Sequence, residues 1–162
     1  MFRLFVVDVM HKVKLGVFKS LFTYLVHMAH VMGKDTVQKS NERFRKVPTF
    51  GCSTIRRFVE NASEMTELGA HDFEDLLQCA PACFEGLFKS KSQEIDNLVQ
   101  DLLGQMASWL AYAKLQLHTD LTLDSFEVAT TKLNDLFRCF AAKTAEEFDT
   151  CPLPRAVAAA SR

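Results

Sequence analysis

The sequence predicts a mainly α protein, a helical bundle, and three stretches carry that prediction. From Val17 to Met32, the residues Val17, Phe18, Leu21, Phe22, Leu25, Met28, Ala29 and Met32 form one broad apolar stripe at i, i+3, i+4 spacing. Ile95, Leu98, Val99, Leu102, Leu103, Met106, Trp109, Leu110, Ala113 and Leu117 keep the same rhythm without a break. Leu123, Phe126, Leu133, Phe137, Phe140 and Phe148 extend it into a last helix.

The chain opens with "RLFVVD", β-branched, aromatic and short. It reads as one short strand, although a run of this length has no period that separates strand from buried helix. The first helix follows, and Gly33 is a natural stop for it. "DTVQKSNERFRKV" predicts a shorter helix that ends before Pro48, because a proline biases the residue before it away from the helical region. "PTFGCST" is a loop, with a brief helical turn expected in "STIRRF". Asn61-x-x-Glu64 fits a capping box and places the next helix start near Asn61 or Ser63. Phe73, Leu76, Leu77 and Phe84 line that helix, and Pro81 predicts a kink or break at Ala80. "KSKSQ" is a polar connector in which Ser90-x-x-Gln93 is a second capping signal. "HTD" separates the last two helices, and "CPLPRAVAAASR" predicts a loose tail over 151–162. Residues 1–150 thus form one helical domain, with 1–12 distinct in pattern from 13–150.

With 162 residues, 48% hydrophobic and 24% charged, the composition is that of one globular domain rather than a disordered chain. "MFRLFVVDVM" is interrupted by Arg3 and Asp8, so it predicts neither a membrane span nor a secretory signal. Five cysteines, an odd count without tight spacing, point to free thiols in a reducing compartment, nuclear or cytoplasmic rather than secreted. The net charge of −1 conceals an asymmetry: residues 1–59 hold 11 Lys/Arg against 3 Asp/Glu, and residues 60–162 hold 8 against 17. Two readings follow, a basic face offered to a polyanion or two halves of opposite sign packed on each other.

Cys79 and Cys83 share a helix face at i, i+4 and would begin a zinc site, but zinc requires four ligands and no second pair stands at suitable spacing. They read as core cysteines, and no metal site is predicted. His27 and His30 lie with Thr23 opposite the apolar stripe and read as a solvated polar side. No nucleophile elbow, glycine-rich phosphate loop or His-Glu-x-x-His motif is present. In "KSNERFRKVPTFGCSTIRRF", Lys39, Arg43, Arg45, Lys46, Arg56 and Arg57 are interleaved with Phe44, Phe50 and Phe58. Guanidinium groups suit phosphate and exposed rings stack on unpaired bases. The competing reading anchors the rings in the core and turns the basic groups to acids of later helices. Asp8-x-x-His11, at the end of an apolar run, has the form of an acid and an imidazole facing one crevice.

"DVMHKVKLGVFKSLF" resembles the Asp-x-x-His block of cut-and-paste DNA transposases of the CACTA group and their fungal relatives of the Plavaka type. "NERFRKVPTFGCSTIRRF", "SEMTELGAHDFEDLLQCA", "AKLQLHTDLTLDSFEVATTKL" and "LPRAVAAASR" are similar to the same kind of protein, and the resemblance spans roughly residues 4–160. It implies a piece of a DDE-type transposase whose ribonuclease-H-like core is interrupted by helices. Under it the strand in 1–12 is a remnant of the catalytic core and 13–150 is the helical insertion region. Asp8 and His11 are the positions that match the family's catalytic block. Where the family pattern has a His after the bundle Trp and an Arg after "AKL", this chain has Leu110 and Gln116, and "KSKSQ" stands in place of an acid-rich loop.

The expectation is a truncated or degenerate transposase-derived protein, catalytically inert alone, since two-metal chemistry needs a convergent set of carboxylates. No cofactor is expected, and Mg2+ would enter only with a complete core. The expected partners are DNA, a full-length transposase or a second copy, with no membrane. Phosphate contact falls to Arg43, Arg45, Lys46, Arg56 and Arg57. The alternative is a helical protein-interaction module with no nucleic-acid role.

Overall fold

The computed structural model describes residues 16–49, 55, 57–64 and 69–149. The "RLFVVD" stretch, Asp8, His11, Phe50, Arg56 and the tail from 151 lie outside these residues. Among those described, the architecture is a helical bundle: α1 (Lys19–Met32), α2 (Lys34–Lys46), a 3-10 turn (Ala62–Glu64), α3 (Ala70–Phe84), α4 (Gln93–Ala113) and α5 (Asp120–Glu147).

Phenylalanine builds the centre. Phe22 of α1, Phe44 of α2 and Phe84 of α3 form a triangle with ring centroids 6.0 Å apart on every side, each pair edge-to-face. That geometry sets the positive ring edge against the negative ring face. Phe18 meets Phe73, Phe58 meets Phe44, and Phe88 meets both Phe84 and Phe148. The stripes of α1 and α4 read from sequence are the faces that fill this core: Leu25, Met28, Ile95, Val99, Leu102, Leu103 and Met106 are fully buried. One buried cluster takes residues from all five helices.

The α1–α2 junction turns at a single residue. Gly33 has φ +122° and ψ 164°, a conformation essentially closed to residues with a Cβ, and it lets α2 start immediately at Lys34. Val47, extended before Pro48, ends α2 as the proline predicts.

Four local expectations are corrected. Among the described residues the helix expected from Asn61 or Ser63 is a 3-10 turn, and the long helix starts at Ala70 after an extended Gly69. The Asn61 side-chain oxygen accepts from Arg45 instead of capping, while Asp72 takes the Gly69 N–H at 2.8 Å to organise the real start. Ile55, Arg57 and Phe58 are not helical, so the turn expected in "STIRRF" is absent at the described positions. Pro81 does not break α3, which runs through it to Phe84. Only one turn follows the proline, and the fully buried Ala80, Cys83 and Phe84 hold that turn against a cost of about 3 kcal/mol. Finally, the cap of α4 is Ser92, whose hydroxyl accepts from the Ile95 N–H, rather than Ser90.

The connector between α3 and α4 is tied from inside the bundle. Asp96, in the first turn of α4, is buried, and its two carboxylate oxygens accept the Gly86 N–H at 3.1 Å and the Phe88 N–H at 3.0 Å. The polar look of "KSKSQ" conceals a segment whose preceding Leu87 and Phe88 are core residues.

Candidate functional site

The basic segment is split by the fold into anchored and open groups. Phe44 and Phe58 are buried against each other, so these rings are structural and do not offer faces to bases. Arg43 sits half-buried and donates to the carbonyls of Cys83, at 3.1 Å, and Glu85. Those carbonyls belong to the C-terminal end of α3, where free acceptors and the negative end of the helix dipole favour a cation. Arg45 donates to Asn61. Lys46 and Arg57 are exposed, as is Lys39 on the outer face of α2. Arg57, Val59, 76% exposed, and Glu60 lie on a segment that Phe58 and Asn61 tie to the end of α2 at Phe44 and Arg45. The result is an apolar point within a patch of net positive charge.

Glu64, from the acidic half of the chain, shares a groove with Arg45 at the edge of this segment. The ion pairs that join described residues, Lys114 to Glu74 and Lys143 to Glu94, both lie within residues 60–162. Arg43 donates to carbonyl oxygens and Arg45 to an amide oxygen.

A second surface is formed by the turn between α4 and α5. Its construction is firm. Thr119 accepts from the Thr122 N–H, Thr122 accepts from the Thr119 N–H, and Trp109 donates to Thr130 at 2.8 Å across the two helices. Gln105 donates to the Ala129 carbonyl, and the Trp109 ring packs on Phe126 with centroids 5.2 Å apart. On this framework Leu117 is 89% exposed, Leu121 74% and Val128 68%, with Leu115 and Leu123 also exposed. Single exposed apolar residues are ordinary, but four leucines within nine positions, Leu115 to Leu123, at one hairpin tip are not, and Val128 adds a fifth further along α5. Asp120, Asp124 and Glu127 lie among them, and no Lys or Arg falls between Thr119 and Thr131. The tip is therefore apolar and acidic.

The rhythm that places Leu117 on the buried face of α4 fails because that helix ends at Ala113, and the leucine falls in the turn. Sequence reasoning passed over this surface for that reason. The available signal was "LQLHTDLTLD", where four leucines flank a capping threonine instead of continuing one stripe.

The remaining clusters are structural. Cys79 and Cys83 are buried in α3 and free. Burial, with Asp75 nearby, pushes the Cys79 thiol up to about 11. Burial, with Cys79 nearby and against the opposing pull of Arg43, pushes Cys83 up to about 12. Such thiols are neutral and poor as ligands or nucleophiles at neutral pH. His27 is half-buried on α1, and burial followed by the neighbouring His30 lowers its pKa from the ordinary 6.5. A groove of about 440 Å³ beside α2 brings His30, Lys34, Gln38 and Arg45 opposite Asn61 and Glu64, mixing both signs. Among the described residues no group of three or more His, Cys, Asp or Glu is placed to hold a metal ion, and no helix is long and apolar enough to cross a membrane. Asp8, His11 and Arg56 lie outside the described residues.

Comparison of the chain with protein-family models, with curated proteins and with solved structures finds no match.

Proposed function

We propose that this chain is a helical interaction module of transposase-like descent that works by surface contact and performs no catalysis of its own. The observation that carries the contact role is the α4–α5 tip, where Leu117 and Leu121 project into solvent from a hairpin that capping and cross-helix hydrogen bonds hold in place. A rigid apolar surface ringed by carboxylates favours a protein partner that supplies apolar and basic side chains, and it repels nucleic acid. The descent rests on the resemblance of "DVMHKVKLGVFKSLF" and the later stretches to Plavaka-type transposases. The lack of catalysis rests on Asp8 and His11 being the positions that match the catalytic block, since one acid and one imidazole do not hold two metal ions.

The test places a photo-crosslinking side chain at position 117, and separately at position 46, in the full chain expressed in cells. The expected result is a discrete protein adduct from position 117 that disappears when Leu121 is changed to Asp. No adduct from 117, together with nucleic acid joined to position 46, overturns the reading. Metal-dependent DNA cleavage lost in Asp8→Ala overturns its non-catalytic part.

A second reading is DNA contact, favoured by the exposure of Lys46 and Arg57 around Val59. It keeps Arg45, Lys46, Arg56 and Arg57 as phosphate contacts, and it uses Arg43 only if that side chain leaves the α3 carbonyls. Its signature is affinity for duplex DNA that falls steeply with salt, as counterion release requires. A nuclear or cytoplasmic, reducing location suits either reading, and a full-length transposase remains the partner that the resemblance suggests.

A further inference from the structure

The two open surfaces have opposite charge, and each centres on an exposed apolar residue. Their positions along α3 decide whether they can meet within one chain. Lys114, at the C-terminal cap of α4, reaches Glu74 near the start of α3, so the hairpin tip lies toward that end. Arg43 reaches the Cys83 and Glu85 carbonyls at the finish of α3, so the basic C-terminal half of α2 lies toward the other. Nine residues of helix, about 14 Å, separate Glu74 from Cys83. Asn61, bonded to Arg45, and Phe58, edge-to-face with Phe44, fix Arg57 and Val59 beside the same end of α2. The acidic tip and the basic patch thus belong to opposite ends of the molecule.

We infer that the hairpin tip of one copy docks on the basic patch of a second copy, Leu117 and Leu121 against Val59, and Asp120 and Asp124 against Lys46 and Arg57. This rests on the tip being the contact surface and adds the identity of what it contacts. Charge complementarity supports the pairing: the tip carries carboxylates without Lys or Arg from Thr119 to Thr131, and the patch sets Arg45, Lys46 and Arg57 against Glu60 and Glu64, which leaves it net positive. Such a contact is head-to-tail. Each copy keeps one free tip and one free patch, so assembly grows as chains unless the rotation between copies closes a ring.

The test is sedimentation velocity of the full chain over a range of concentrations. Wild type is expected to associate, with an apparent dissociation constant that rises about tenfold when salt goes from about 0.1 M to about 1 M and the screening length shrinks from about 10 to about 3 Å. A tip variant, Asp120→Lys with Asp124→Lys, and a patch variant, Lys46→Glu with Arg57→Glu, are each expected to be monomeric. All four positions are exposed, and circular dichroism checks that both variants stay folded. Mixing the two variants is expected to restore association, because the native tip of one then finds the native patch of the other. A wild type that is monomeric throughout overturns the inference, and so does association that neither variant weakens. Loss in the tip variant alone, without restoration on mixing, also overturns it while leaving the tip as a contact surface. A position-117 crosslink to a different protein separates the two outcomes in the same way.

Discussion

At the residue scale, the side chains that organise this molecule are polar groups whose partners are distant in sequence. Asp96 reads as a helix-start acid, and its larger role is to accept the part-buried Gly86 and buried Phe88 N–H groups of the preceding connector. Asp96→Ala removes both acceptors at once, and unfolding in urea is expected to show a loss of about 3 kcal/mol. Arg43 was legible as a basic residue in a basic run, but its acceptors lie 40 and 42 positions downstream, where no local pattern reaches. The burial of Cys79 and Cys83 was legible, because two cysteines at i, i+4 without further ligands have little alternative to the core. Their raised pKa values give a pH dependence whose sign can be worked out. Folding favours the neutral thiols, so this contribution is complete below the ordinary value of 9.0 and is lost as pH rises through about 11 and 12. At pH 8 an alkylating reagent is therefore expected to modify the exposed Cys139 quickly and to reach Cys79 and Cys83 only on unfolding, which peptide mapping by mass spectrometry reads directly. His27 has the opposite sign: its pKa is lowered, so its neutral form is favoured and stability declines as pH falls below 6.5.

At the element scale, helix interiors were legible and helix starts were not. The stripes of α1 and α4 identify buried faces because a sustained 3.6-residue rhythm has one structural meaning. A capping motif is weaker, since Ser, Asn and Asp serve turns and side-chain bonds equally well. Asn61 is spent on Arg45, and Ser90 gives way to Ser92 two positions later. The serine pair offers a direct comparison. Ser92→Ala is expected to cost about 1 kcal/mol, the usual value of a lost N-cap, while the exposed Ser90→Ala should stay within about 0.5 kcal/mol. Reversal of that order in thermal unfolding would return the cap to Ser90. Pro81 teaches the same lesson from the other side. A breaker near a helix end loses to burial when the final turn holds Cys83 and Phe84 in the core. The aromatic triangle sets the scale of that burial, and Phe44→Ala, removing a ring that touches Phe22, Phe58 and Phe84, is expected to cost about 4 kcal/mol.

At the scale of the whole molecule, the bundle is unevenly held, and this bears on how the contact surface works. The α1–α4 assembly shares a ring network and a continuous core, whereas the first half of α5 meets the rest through α4 by Trp109, Gln105 and Phe126. The fold class was legible because periodicity reports burial. The hairpin tip was not, because an exposed leucine just beyond a helix end is indistinguishable in sequence from one more core position until the end is located. A surface carried on a hairpin that meets the bundle through one helix can open without the bundle unfolding, since stability is not uniform across a domain. Trp109→Phe removes the donor to Thr130 while keeping an aromatic ring in place. Hydrogen exchange of the amides from Leu121 to Thr131 is expected to quicken by about tenfold, the equivalent of about 1.4 kcal/mol of local stability, while those from Leu98 to Met106 keep their rates. Equal acceleration in both segments would show that hairpin and bundle open as one unit, and the tip would then be rigid only as far as the whole fold is. Unequal acceleration locates the flexibility in the hairpin alone, where ordering the tip would subtract from the affinity of any partner that binds it.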